Sequence, residues 1–422
     1  MVNQPPAEIL YVSFDEVPAP KGASAHITAF VERLGIAVGP VLLVTPGTCD
    51  QPPREFAKGV TQRVLGCPGD NPIGRARTFA AKLLRLVRGQ SFRVMHFRSI
   101  FEGFPLIDPA ARGNSRLLYE ANGFPSIELK YHYASLAGQR ETLDKMARQE
   151  LACLLASDAI VTVSDVNRQH ILERTAAVDP GISGRITVIR NGVDLDRFPF
   201  QSPSPPTSDR PLQILYFGTL APWQGIETLL EAVEMVSQQR ACELTVVGPA
   251  SQARRQHLLR RTARLGLNHR VRWIPALDQA ALCHELHQAH LSVVPLLAVD
   301  RNLLQGCSPL KLLESMAAGC PVVASDLPIV QEIAQPMEHY WPARAGDARN
   351  LKNQILAVAE DYPLATRMAG AARRLVETGY SWRHATDRLL AVYARLLEPS
   401  SCGRISDSRE RSSSGECSET AR

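Results

Sequence analysis

The chain has 422 residues, 45% hydrophobic and 21% charged, which leaves room for two domains and excludes a disordered or fibrous protein for all but the ends. Basic residues outnumber acidic ones by only 47 to 42, with no basic run interleaved with aromatics, which argues against nucleic acid as a partner. Uncharged stretches reach 16 residues, as at 211–226, short of the roughly 18–20 apolar residues that a membrane span needs.

No basic–apolar–small leader opens the sequence, and the nine cysteines include no C-x-x-C pair. A reduced, cytoplasmic protein without a disulfide framework or zinc cluster is expected. An apolar run at 9–14 predicts a first strand, a Gly/Pro-bearing loop follows at 17–22, and a helical pattern covers 26–34. Further strands are predicted at 41–45, 94–97, 117–120, 159–163 and 186–189, with helices at 76–87 and 143–156. Strands alternating with helices predict βαβ units and a parallel sheet. Residues 201–210, QSPSPPTSDR, read as a linker. The alternation then restarts, with strands at 214–218, 244–248, 271–274, 291–295 and 322–325 and helices at 226–237, 253–265, 279–289 and 310–318. A last helix at 381–397 stands apart, and Ser, Arg and Glu dominate a tail at 398–422 that is expected to be disordered. The expected fold class is therefore α/β, with two doubly wound domains at 1–200 (closed by the helix at 381–397) and 211–380. Ligands bind beyond the carboxyl ends of such strands, so a cleft between the domains suits a two-part substrate.

Neither G-x-x-x-x-G-K-[ST] nor a G-x-G-x-x-G after the first strand occurs, which disfavours a P-loop nucleotidase and a dinucleotide oxidoreductase. The most informative segment is 308–325, SPLKLLESMAAGCPVVAS. Here a loop enters a helix whose free N–H groups suit phosphate oxygens. Pro309 fits the first turn, Lys311 adds a cation, and Glu314 one turn on suits a ribose diol. An ordinary capped helix with solvated charges is the competing reading.

This segment resembles the nucleotide-sugar site of retaining glycosyltransferases of family four, which have the GT-B fold of two Rossmann-like domains. Residues 188–198, VIRNGVDLDRF, resemble that family's interdomain hinge, and 214–230, ILYFGTLAPWQGIETLL, its first strand, loop and helix of the second domain. KGASAH at 21–26 is similar to the glycine-rich turn after the first strand, 160–167 to a V-S-x-x strand end, and 380–397 to the closing helix. The resemblance spans about 9–397 and implies a nucleotide-sugar donor, a glycan or lipid-linked acceptor, and no cofactor or required metal. It makes Lys311, Asn122 and Glu120 the catalytic candidates. Gly22, Gly218, Thr219, Gln224, Ser308, Pro309, Leu310, Lys311 and Glu314 are the donor-binding candidates, and His96 and Arg98 the acceptor-binding ones.

Four positions depart from the family pattern. The first of two family glutamates falls on Gly306, with Asp300 or Asn302 as substitutes. The two usual diphosphate cations fall on Thr219 and Gln224, leaving Lys311, with Arg301, to supply the charge. Asn122 stands where a histidine is common. A nucleotide-sugar-binding protein without transferase activity, or another GT-B enzyme such as an epimerase, is the alternative. His284, His287 and His290 spread over about 120° of a helix and are read as no metal site. The basic helix at 75–88, RARTFAAKLLRLVR, carries five cations beside apolar residues and suggests an anionic membrane surface as a partner, at the inner face of the membrane.

Overall fold

The computed structural model describes residues 7–19, 21–207 and 209–398. Residues 399–422 of the expected tail lie outside the described residues. Two sheets organise the chain. The first runs β3-β4-β2-β1-β5-β6-β7-β8, where β1 is Ile9–Val12, β2 Val41–Gly47, β3 Arg54–Ala57, β4 Val60–Gly66, β5 Val94–Phe97, β6 Arg116–Glu120, β7 Ala159–Thr162 and β8 Ile186–Val188. The second runs β11-β10-β9-β12-β13-β14, where β9 is Leu212–Phe217, β10 Cys242–Val247, β11 Val271–Ile274, β12 Leu291–Val294, β13 Val322–Ser325 and β14 Trp341–Ala343. Every pairing is parallel except that of β3 with β4.

The central strands carry continuous apolar runs because helices cover both faces, as parallel sheets require. β1, β5, β7, β12 and β13 are buried at every position. The chain reverses direction across the first sheet between β1 and β5, and across the second between β9 and β12. Both reversal points open a crevice at the carboxyl ends of the strands, and these two crevices face each other.

Several elements differ from expectation. The β3–β4 hairpin was not predicted, since Arg54 and Glu55 are exposed and the strand has no apolar period. Helices Ile100–Leu106, Pro125–His132, Asp165–Thr175, Ala348–Glu360 and Tyr362–Gly379 were also missed. The domain crossing lies within 188–198, the segment that resembles the interdomain hinge, and upstream of the proline-rich 201–210 read as a linker. Ile189 still packs in the first domain, whereas Val193 and Phe198 pack in the second. Gln201 N–H already donates to Ala318 O at 3.1 Å. The chain crosses back where Ser381 bridges to Val193, and the helix Trp382–Leu397 lays Ala385, Leu389, Val392 and Tyr393 against Ile9, Tyr11, Ile27 and Phe30 of the first domain.

The helix Pro72–Val87 divides its residues between the core and the surface. Of its apolar residues, Phe79, Leu83 and Val87 are packed in the first domain's core, Leu86 is partly buried against it, and Leu84 is exposed. Of its cations, Arg75 pairs with Glu16 at 3.0 Å and Lys82 with Asp50 at 2.6 Å. Arg77, Arg85 and Arg88 form the solvated cationic face that remains.

Candidate functional site

The donor side is built on the end of β9. Gly218, at φ +117°, turns the chain out of the sheet, and the loop returns through Gly225 at φ +73° into the helix Ile226–Ser237. A Cβ on Gly225 would lie 1.8 Å from Pro295 O at the end of β12, so the loop is pinned against the neighbouring strand. Gly225→Ala is expected to cost upward of about 1–3 kcal/mol from the left-handed backbone alone, with the backbone clash added. Denaturant unfolding checks this.

The helix Leu310–Ala318 starts at Pro309 with no side-chain cap, so its first N–H groups are open, and Gly319 ends it at φ +85°. Lys311 reaches back beneath the β9 loop. Its Nζ donates to Gln224 Oε1 at 2.5 Å and to Tyr216 Oη at 3.2 Å, and stands 4.4 Å from the Tyr216 ring centroid. The same Nζ lies 3.2 Å from where a Gly218 side chain would begin. Burial lowers the Lys311 pKa to about 7, with Arg301 acting in the same direction and Cys307 and Glu314 opposing. Burial raises Glu314 to about 7, with Lys311 opposing. No described residue bonds the Glu314 carboxylate. Gly218, Gln224, Lys311 and Glu314 are thus gathered in one place.

The other donor candidates are arranged differently. Thr219 is exposed, and its carbonyl accepts the Tyr216 hydroxyl at 2.7 Å. Ser308 is committed to the hinge, accepting Asn191 N–H on Oγ at 3.0 Å and Asn191 Nδ2–H on its carbonyl at 2.8 Å. Gly22 meets the second domain directly, since a Cβ there would lie 2.7 Å from Leu310 Cδ1.

The first domain contributes a buried cluster. Glu120 ends β6 with 0% exposure. Its Oε2 accepts Tyr11 Oη at 2.6 Å and lies 3.0 Å from His96 Nε2. Its Oε1 accepts Arg98 Nε at 2.8 Å and Asn122 Nδ2, and lies 2.8 Å from His26 Nε2. Burial would raise the Glu120 pKa, but His26, Arg98 and the hydrogen bond from His96 outweigh it and hold the carboxyl well below its usual range. Burial lowers His96, whose other nitrogen lies 2.9 Å from Tyr393 Oη.

These positions correct three sequence assignments. Both Glu120 oxygens are occupied by protein groups, so in this structure the carboxylate organises its neighbours. His96 is 0% exposed and Arg98 8%, and both are engaged with Glu120, so neither is an open acceptor contact. Asn122 is partly exposed as a residue; Glu120 holds its amide nitrogen, and its Oδ1 is buried without a hydrogen-bond partner. The proposed substitutes for the glutamate missing at Gly306 are also occupied. Asp300 pairs with Lys130 at 2.6 Å across the cleft, and Asn302 donates to Leu297 O at 2.7 Å. Gly306 itself has no room for a side chain, since a Cβ would sit 2.4 Å from Ser164 Oγ.

Residues that sequence reasoning missed complete the junction. Gln305 Oε1 accepts Phe124 N–H at 3.0 Å. Trp223 carries the Arg301 guanidinium 5.2 Å above its ring and meets Tyr131 and His132 of the first domain. Nothing in a single sequence pairs these positions. The three expected non-ligand histidines are separated in role, with His287 Nε2 3.0 Å from Pro199 O and His290 Nδ1 accepting Gln213 N–H. Among the described residues, no group of three His, Cys, Asp or Glu side chains could hold a metal ion.

Two doubly wound domains, with a lysine-bearing helix start beside a glycine loop in the second, make up the GT-B architecture. The comparisons agree: the family described as Glycosyltransferase Family 4 matches residues 20–197, and Glycosyl transferases group 1 matches residues 211–361. The chain belongs to the group 1, family-four glycosyltransferases and is an enzyme of that class. Glycogen synthase of Mycobacterium tuberculosis is 28% identical over 56% of this chain, but the match spans only 54% of that relative's length. Sucrose-phosphate synthase from Thermosynechococcus elongatus superposes with a TM-score of 0.76 at 20% identity, over 92% of this chain and 99% of that one. Anabaena HepE, solved with UDP and glucose, superposes at 0.68 with 15% identity, over 92% and 99%. Both likenesses establish the GT-B fold.

Proposed function

We propose that the protein is a retaining glycosyltransferase that moves a sugar from a nucleotide-sugar to a glycan or lipid-linked acceptor in cell-surface polysaccharide or glycolipid synthesis. The observation that carries this reading is Lys311, a buried cation with no carboxylate partner among the described residues, held beside Gly218 at an uncapped helix start. A diphosphate there would gain a charge and open N–H groups. Glu314 holds the ribose, and Asn122, partly exposed just past the end of β6, is the first domain's candidate for the reacting sugar or acceptor. Charge on the departing diphosphate is met by Lys311 and helix N–H groups, without a required metal or cofactor. That the solved relative HepE carries UDP supports a nucleoside-diphosphate donor.

The test is a thermal-shift panel of UDP, GDP, ADP and their sugars, since bound ligand stabilises the native state by mass action. The strongest donor is then incubated with oligosaccharide and polyprenyl-phosphate-linked acceptors, and product anomers are assigned by NMR. Transfer with the donor's anomeric configuration kept is expected. Nucleotide binding with neither transfer nor hydrolysis would leave a binding protein, and conversion of the donor alone would leave an epimerase.

The cationic face of the helix Pro72–Val87 supports a peripheral, cytoplasmic-side location at an anionic surface, by charge without insertion of the helix. Each basic residue near such a surface contributes about 1 kcal/mol. Replacing Arg77, Arg85 and Arg88 together by Gln is expected to abolish sedimentation with phosphatidylserine vesicles at low salt. No sedimentation of the parent chain removes the membrane from the reading.

A further inference from the structure

The buried Glu120 cluster is connected to the other domain by one side chain. His26 lies on the helix Gly22–Ala37, with its Nε2 2.8 Å from Glu120 Oε1. Its Nδ1 is 2.7 Å from Asn191 Oδ1. Asn191 belongs to the crossing segment, and its amide orientation is fixed because Nδ2 must donate to the Ser308 carbonyl. Its backbone N–H holds the Ser308 hydroxyl. Ser308 stands two residues before the helix that carries Lys311 and Glu314. Three short polar contacts therefore join the strand end bearing Asn122 to the loop bearing Lys311.

The link is buried and stiff. His26 is 3% exposed, packs its ring 4.0 Å from that of Phe30, and meets Trp382 edge-on at 5.6 Å. Trp382 follows Ser381, where the chain crosses back. The relay thus passes between the two crossing segments, where a small rotation would change every distance across the cleft. A reacting geometry tolerates little such error, and a misplacement of about 1 Å costs on the order of 100-fold in rate.

We propose that His26 and Asn191 are positioning residues that register the Lys311 loop of one domain against the Asn122 side of the other, with Glu120 as the fixed end of the relay. Neither touches the substrate. Their effect on catalysis rests on the transferase reading above, but their effect on the fold does not, so the test needs no substrate.

The test is hydrogen–deuterium exchange on His26→Phe, which keeps the ring contacts and removes both nitrogens, and on Asn191→Ala. Amides at 305–313 are expected to exchange at least threefold faster in both variants, although His26 lies in the other domain. The double variant should exchange these amides no faster than either single one, because both break one chain. A Ser308→Ala control, which keeps the carbonyl contact, should give a smaller change at the same amides. Changes confined to 9–34 and 94–122 in His26→Phe would make the histidine a core residue of its own domain and overturn the proposal. So would additive effects in the double variant. If His26→Phe does not fold, Asn191→Ala decides alone: faster exchange at 22–30 as well as 305–313 supports the relay, and a change on the Ser308 side only refutes it.

Discussion

Lys311→Ala is expected to lower kcat for sugar transfer by roughly 10²–10³-fold, the scale of removing one preorganised group aimed at developing charge. The donor KM should rise much less, because charge on the diphosphate grows as the sugar leaves. Glu314→Gln should do the reverse, weakening nucleotide binding by about 1.5–3 kcal/mol with kcat nearly kept. Charges merely solvated on a structural helix would leave both variants kinetically normal.

The pH behaviour follows from the same pair. Lys311 titrates near 7 in the empty site because burial disfavours its charge. A bound diphosphate restores that charge, so affinity should fall as pH rises from about 7 to 9, and this fall should be lost in Lys311→Met. Stability carries two opposite slopes. The native state holds the Glu314 proton up to about 7 against an ordinary 4.5, so that contribution is present at low pH and is lost as pH rises to 7. Native Lys311 gives up its proton near 7 against an ordinary 10.5, so stability recovers above 7. Melting curves across pH should show this pair's dip near neutrality, shallower with saturating nucleotide.

Glu120→Leu is expected to cost about 3–5 kcal/mol, the usual penalty for leaving a buried charge without its partner. In a domain of this size that lowers the melting temperature by roughly 6–20 °C. Arg98 and His26 would then face a hydrocarbon, and Tyr11, His96 and Asn122 would each lose an acceptor. Glu120→Gln should cost less, since the amide keeps one acceptor oxygen. The pH sign is that of a depressed carboxyl. The contribution is complete above the unfolded pKa, about 4.3, and is lost as pH falls through the lower folded value. Acid unfolding of the parent should therefore be steeper below pH 4 than that of Glu120→Leu.

The doubly wound architecture was legible because β1, β5 and β12 are short, mostly apolar runs with periodic helices between them. The gathering of Gly218, Gln224 and Lys311, with Glu314 one turn on, was legible for a similar reason: they fall in two short local segments. The burial and mutual pairing of the first-domain candidates were not legible, because those contacts are long-range. Nothing near Glu120 in sequence shows that Tyr11, His26 and His96 converge on it. A strand end bearing Glu, His and Arg reads as an open cleft until the partners are seen to neutralise one another. The missed helices Pro125–His132 and Asp165–Thr175 are short and polar on most sides, and cross-domain packing does much of the work that an apolar stripe would do elsewhere.

The return of Trp382–Leu397 to the first domain has a consequence for the order of synthesis. Leu389, Val392 and Tyr393 line the same core as Ile9 and Tyr11, and His96 meets the Tyr393 hydroxyl there. At about 5–20 residues per second, the roughly 190 residues between β8 and this helix take some 10–40 s to emerge from the ribosome. Throughout that time this face of the first sheet carries the helix Gly22–Ala37 but lacks Leu389, Val392 and Tyr393, while the second domain is being made. The half translated first is therefore the half finished last, and a nascent chain stalled before residue 380 should be the form that chaperones capture.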